Sequence, residues 1–177
     1  MNSIFDKFGW MKGHVTPYLI DCSGKITKTG GKCNTVLSSG SKIVARLVAG
    51  EQHYRPTHIA FLTAGGEGAV DASLNWNSLV AGGDYFLAPI LTPTVDGNKT
   101  TFTTHLGLVE GTAPDNNTEL NRAALVSRPS PGVIEPFAAV NFDTPYTYTS
   151  DGLYLGLYWT LTFETAIQPA TEQPVVE

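Results

Sequence analysis

Leu-Tyr-Leu-Gly-Leu-Tyr-Trp-Thr-Leu-Thr-Phe, residues 153–163, alternates without a break. Leu153, Leu155, Leu157, Trp159, Leu161 and Phe163 point to one side. Tyr154, Gly156, Tyr158, Thr160 and Thr162 point to the other, because successive side chains of a strand face opposite ways. A period of two makes the segment a strand. Its six large apolar side chains must be buried. At about 1.5–3 kcal/mol each, that face contributes on the order of ten kcal/mol of gross stabilisation. Trp159 is therefore a core residue. The tyrosine and threonine face is amphipathic and suits a surface or a wet interface, with Tyr154 and Tyr158 as candidate contacts.

The same reasoning extends outward. Residues 100–109 alternate, with Phe102, Thr104, Leu106 and Leu108 on one side. Asp96-Gly97 before them is a turn signal. Residues 84–93, interrupted by Pro89 and Pro93, suit an edge or bulged strand. Residues 57–63, apolar at their centre, read as a buried strand. Residues 120–127 and 137–142 read as two more, with a rigid bend at 128–132 between them. Residues 14–21 and 25–29 form a hairpin about Ser23-Gly24.

One helix is expected, at about 40–49. Ser38 or Ser39 offers an N-cap, Ile43, Val44, Leu47 and Val48 form a stripe, and Gly50 supplies a stop. Arg46 and Glu51 lie on or near its wet side. The 18 glycines and 11 prolines are scattered through the chain, which goes with many short strands joined by turns. These readings predict a mainly β protein. It is a single antiparallel β-sandwich, jelly-roll-like, of eight or nine strands, with the helix covering an open end or edge. The sandwich spans residues 12–166. An N-terminal arm covers 1–11 and a C-terminal tail covers 167–177. Phe5, Phe8 and Trp10 have no regular spacing and cannot bury themselves alone. They dock on the body or on a neighbouring subunit.

The 177 residues suit one domain, and 42% of them are hydrophobic. Only 15% are charged, against a usual share of about 25%. A surface poor in charge is buried against a partner at little desolvation cost, which favours assembly. The net charge of −5 lacks the basic footprint of a nucleic-acid binder. There is no signal-peptide pattern and no apolar run near the length of a membrane span, so synthesis in the cytosol is expected, with no membrane partner. In that reducing compartment Cys22 and Cys33 are expected to be free, buried thiols, although a turn between them makes a disulfide conceivable.

The search for catalytic chemistry points to a non-enzymatic protein without a cofactor or metal. His14, His53, His58 and His105 form no ligand spacing. Leu37-Ser38-Ser39-Gly40 is not a nucleophile elbow. Asp84, Asp115 and Asp151 stand beside Gly, Pro or Asn, and Asp143 lies two residues from Asn141 and Pro145, where aspartate serves turns. The loop at 64–69 lacks the Gly-Lys-Ser/Thr ending of a phosphate cradle. Trp76, in Asn75-Trp76-Asn77, is the best candidate for an exposed aromatic. It serves as an interface anchor or, alternatively, as a glycan-stacking platform.

Several segments, in order, resemble a broad family of tailed-phage virion proteins. Met11-Lys12-Gly13-His14-Val15 looks like its opening strand. Asn34-Thr35-Val36-Leu37-Ser38-Ser39-Gly40 is similar to its lead into a helix. Thr57-His58-Ile59-Ala60-Phe61 resembles the strand before a Gly-rich loop, here Thr63-Ala64-Gly65-Gly66. Thr118-Glu119-Leu120-Asn121-Arg122-Ala123-Ala124-Leu125 looks like a diverged form of the family's Asn-Glu-Ala-Gly-Leu strand. Phe137-Ala138-Ala139-Val140-Asn141-Phe142 and Leu157-Tyr158-Trp159-Thr160-Leu161-Thr162-Phe163 match its last two strands. The resemblance covers about 11–164. It departs at residues 71–79, which replace an acidic-Leu stretch, and at Asn121-Arg122, where Glu-Ala is usual. It implies a virion subunit, assembled in the host cytoplasm, that packs against its own copies and against major capsid or tail proteins. Capsid decoration leads. A tail, baseplate or fibre-anchoring subunit is the alternative, and a receptor- or glycan-binding module comes third.

Overall fold

The computed structural model describes residues 11–64, 69–107, 113–149 and 154–163. The expected arm at 1–11 and tail at 167–177 fall outside these residues, apart from Met11, which is buried as the first residue of a strand.

Among the described residues ten strands form: β1 (Met11–Ile20), β2 (Ile26–Lys28), β3 (Lys32–Val36), β4 (Pro56–Leu62), β5 (Tyr85–Pro89), β6 (Thr94–Asp96), β7 (Lys99–His105), β8 (Glu119–Ser127), β9 (Glu135–Thr147) and β10 (Tyr154–Phe163). Two helices accompany them, α1 (Ser38–Val48) and α2 (Trp76–Val80), with a 3₁₀ turn at Gln52–Tyr54. Strands make up 51% of the described residues, so the mainly β class holds.

All strand pairs are antiparallel. The order is β5-β4-β8-β9-β3-β1-β10-β7-β6, with β2 also on β1. This single sheet curls into a half-barrel rather than clearly dividing into the two stacked layers of the expected sandwich. The physical reason is β3. Its Lys32, Cys33 and Asn34 pair with Val15, His14 and Gly13 of β1, while its Thr35 and Val36 pair with Ala139 and Ala138 of β9. One five-residue strand therefore joins what would otherwise be separate sheets. Gly13 permits the crossing, since a Cβ there would lie 1.8 Å from the Asn34 Oδ1. On the far side the curl brings β5 back towards β7. Leu91 N–H donates to the Thr103 carbonyl at 2.9 Å, and the Thr104 hydroxyl donates to the Pro89 carbonyl at 2.7 Å.

The concave side holds the main core. Leu155, Leu157, Trp159 and Leu161 of β10 are buried there, as their alternation requires, with Phe102 and Leu106, Ile59 and Phe61, and Leu125 and Val140. α1 lies across the opening with Ile43 buried and Val44 and Leu47 packed on the core. Gly40 lets it approach, because a Cβ at that position would sit 2.2 Å from the backbone oxygen of Phe137. Two expectations for α1 change. Neither serine caps it through its side chain: Leu37 is the N-cap, while the Ser38 and Ser39 hydroxyls donate to the carbonyls of Ala72 and Pro136. Val48 does not join the buried stripe and is 85% exposed, because the last turn overhangs the core. Gly50 does end the helix, at a φ of 91°.

The convex side of β4, β8 and β9 is also covered. Leu37, Ala60, Leu62, Leu79, Ala124, Val126 and Ala139 form a second cluster under α2. α2 was not expected, since five residues give no helical period to read. Arg122 is buried here, with no carboxylate partner among the described residues. Its Nε donates to Asn141 Oδ1 at 2.6 Å and a terminal nitrogen donates to the Leu79 carbonyl at 3.4 Å. Burial pulls its pKa down. The two stretches that depart from the virion-protein pattern, 71–79 and Asn121-Arg122, thus touch each other.

Candidate functional site

The convex side of β1, β10 and β7 differs: among the described residues no helix lies across it. The register sets its rungs. Lys12, Thr162 and Lys99 lie side by side, then His14, Thr160 and Thr101, then Thr16, Tyr158 and Thr103, then Tyr18, Gly156 and His105. Ile20 and Tyr154 close the row. These side chains are mostly hydroxyls and aromatics, as the alternation of residues 153–163 predicts.

Gly156 organises the centre. A glycine inside a strand often marks a close approach. Here a Cβ would lie 2.2 Å from Cζ of Tyr18, whose ring lies across the vacant position. The Tyr18 hydroxyl donates to the Thr104 carbonyl at 3.3 Å. Tyr158 stacks on Tyr18 with centroids 4.3 Å apart, and His105 meets Tyr18 edge-on at 5.5 Å. Lys28 of β2 stands 5.2 Å from the Tyr158 centroid, a cation–π geometry. The Tyr18 ring is fully buried. Burial first, and the neighbouring Tyr158 second, push its phenol well above the ordinary range. Burial alone lowers the His105 pKa, so its imidazole is neutral at pH 7.

The rest of the face is hydrogen-bonded and polar. The Thr101 and Thr160 hydroxyls meet at 2.9 Å, and the Thr16 hydroxyl lies 3.3 Å from His14 Nδ1. The rungs of β1, β10 and β7 carry Lys12, Lys99 and His14 and no carboxylate, in a chain of net charge −5. Such a surface offers donors, acceptors and ring faces.

The sequence-predicted residues divide. Tyr154 and Tyr158 both lie on this face, Tyr154 exposed and Tyr158 half-buried. Trp76 does not. It is half-buried at the start of α2, edge-on to Tyr85 at 5.0 Å and packed on the second cluster, so it is no open stacking platform. Asn75 fixes it there by capping the helix, its side chain accepting from the Ser78 N–H. Phe5, Phe8 and Trp10 lie outside the described residues. Tyr18, Lys28 and His105 were missed. The interior glycine at 156 was the one available signal for Tyr18. Cys22 and Cys33 are free as expected but exposed, not buried, because Cys22 sits in the hairpin turn and Cys33 on the convex side beside His14.

Comparisons with protein-family models, curated proteins and solved structures find no match.

Elsewhere, β3's departure from β9 leaves a cleft of about 370 Å³ floored by Val15, Val140 and Phe142. Lys32 and Asp143 form an ion pair across its rim, and Tyr146 hydrogen-bonds Thr29 at 2.7 Å. Among the described residues no group of three or more His, Cys, Asp or Glu side chains is placed to hold a metal ion. No described helix is long and apolar enough to cross a membrane.

Proposed function

We propose that this chain is a non-enzymatic structural subunit of a tailed-phage virion, a capsid decoration protein that cements neighbouring capsomers. The observation that carries this reading is the convex face of β1, β10 and β7, rich in tyrosine and threonine, across which no helix lies among the described residues. The opposite half of the sheet has its convex face covered from within the chain, so this face is left for a partner. Its hydroxyls and rings desolvate cheaply, whereas a face rich in charge would not. Tyrosine adds contact area at small entropic cost. Exposed Lys99 on β7 favours an acidic neighbouring surface. The curled sheet stands here as a variant of the jelly-roll-like sandwich. Copies around a particle form a cyclic homo-oligomer, and many weak contacts with major capsid proteins add through multivalency. The resemblance of the ordered segments from Met11 to Phe163 to tailed-phage virion proteins supports the same reading.

Sedimentation velocity on the intact chain tests the face. A discrete oligomer is expected, and Tyr158→Glu with Thr160→Glu should return it to monomer without loss of fold. A chain that stays monomeric at every concentration sinks the proposal. Gold-labelled antibody on whole particles then reports the station. Label over heads supports decoration, and label confined to tails replaces it with a tail or baseplate role.

A further inference from the structure

A second surface, independent of that face, is apolar and, among the described residues, open. Where α1 overhangs the concave side, Val44, Leu47 and Val48 face Phe102 of β7 and Leu161 and Phe163 of β10 across a groove of about 290 Å³. Nearly all of its lining is hydrocarbon or aromatic. Val48, at 85% exposed, stands at its rim. A large apolar side chain held in water beside an apolar groove marks a place where something packs.

We infer that the groove is the seat of the chain's own residues 1–10. Three observations converge. First, Met11 pairs with Phe163, and Phe163 lines the groove, so residue 10 is joined to the chain at the groove's lip. Crossing from β1 over β10 to β7 spans two strand spacings, about 10 Å, which three extended residues cover. Second, residues 1–10 carry Ile4, Phe5, Phe8 and Trp10, four large apolar side chains that find no internal core in so short a segment. Third, none of the described residues that line the groove is charged, which suits rings better than a polar strap. The segment after Phe163 also begins at this lip, but it brings Glu164, Glu172 and Glu177 with Pro169 and Pro174. The aromatic segment is the better chemical match. Seated in this way, Phe5, Phe8 and Trp10 meet the apolar lining of the groove, and intersubunit contact is left to Tyr154, Tyr158 and their neighbours.

Cysteine pairing in the full-length chain tests this. In a Cys22→Ser, Cys33→Ser background, Val48→Cys is combined in turn with Phe5→Cys, Phe8→Cys and Trp10→Cys and oxidised at high dilution. At least one pair should form a disulfide within a single chain, seen by mass spectrometry at monomer mass. The same arm cysteines should not pair with Thr101→Cys on the convex face. Disulfides only between chains, or none above the Thr101→Cys control, overturn the inference. Binding of a hydrophobic dye gives a second reading that needs no cross-link. Phe5→Ala, Phe8→Ala and Trp10→Ala together should raise dye fluorescence several-fold, while removal of residues 165–177 should leave it unchanged. The reverse pattern assigns the groove to the C-terminal segment and also overturns the inference. Neither result depends on whether the protein belongs to a virion.

Discussion

The two halves of the curled sheet share one concave core and differ on their convex sides. In the β4-β8-β9 half, α2 and residues 70–74 cover the convex face, and Leu62, Ala124, Val126 and Ala139 are fully buried beneath them. In the β1-β10-β7 half, the corresponding positions are Thr16, Thr101, Thr160 and Tyr158, all half-buried. The sequence difference is direct. β8 reads Ala-Ala-Leu-Val through its centre, a continuous apolar run suited to burial on both sides, whereas β10 alternates strictly. A strand buried on both sides has spent its surface on its own fold. A strand buried on one side keeps a surface for something else. On the proposed function, this contrast is why partners are sought on the convex face of β1, β10 and β7.

The largest expected break in this contrast comes from the covered half. Leu79 is the one fully buried side chain of α2. Leu79→Ala should cost about 2–5 kcal/mol in urea unfolding, while Tyr154→Ala on the open half should stay within about 0.5 kcal/mol. Equal losses would mean that the convex face of β10 is also covered.

A smaller effect tests the plug that both halves enclose. Gly40→Ala puts a Cβ 2.2 Å from the Phe137 backbone oxygen, which side-chain motion cannot relieve. The same denaturation should show a loss of about 1–3 kcal/mol. No loss would show that α1 rides loosely on β9.

The smallest effect sharpens the comparison by pH. His58 on β4 and His105 on β7 both have lowered pKa values, from burial, with Arg128 adding to the effect at His58. A histidine depressed in the folded state favours the neutral ring. Its contribution is present above the unfolded value of about 6.5 and is lost as pH falls through the folded value. Stability should therefore drop below about pH 6.5, more shallowly in His105→Gln. NMR titration should show the His58 pKa rising with added salt, which screens Arg128, while the His105 pKa stays put. Equal salt response at both rings would contradict this account.

Much of the fold was legible where burial follows local period. The β10 and β7 faces, the β1-β2 hairpin about Ser23-Gly24, the buried β4 and the edge placement of β5 could all be read from residue order. What was not legible depends on long-range partners. The hand-over of β3 from Gly13 to Ala139 decides half-barrel against sandwich, and no local pattern in Lys-Cys-Asn-Thr-Val announces it. Val48 fits the helical stripe, but whether the last turn has a floor depends on where β7 and β10 end. Trp76 looked exposed because its neighbours are asparagines; those neighbours cap a helix that presses it inward. At the open face, alternation put Tyr154 and Tyr158 on the side of β10 where the structure has them. Tyr18 was not, since its burial depends on a missing side chain one strand away.

That missing side chain ties two positions 138 residues apart in the chain. The ring at 18 and the absent Cβ at 156 draw on one volume, so neither site can change size by itself. A lineage that gains a methyl at 156 must shed the phenol at 18 or tilt it off the strand, which would unstack Tyr158 and loosen the hold on the Thr104 carbonyl. Descendants of this sequence should therefore alter the two sites as a couple, large with small, and a survey of variants can look for that exchange directly.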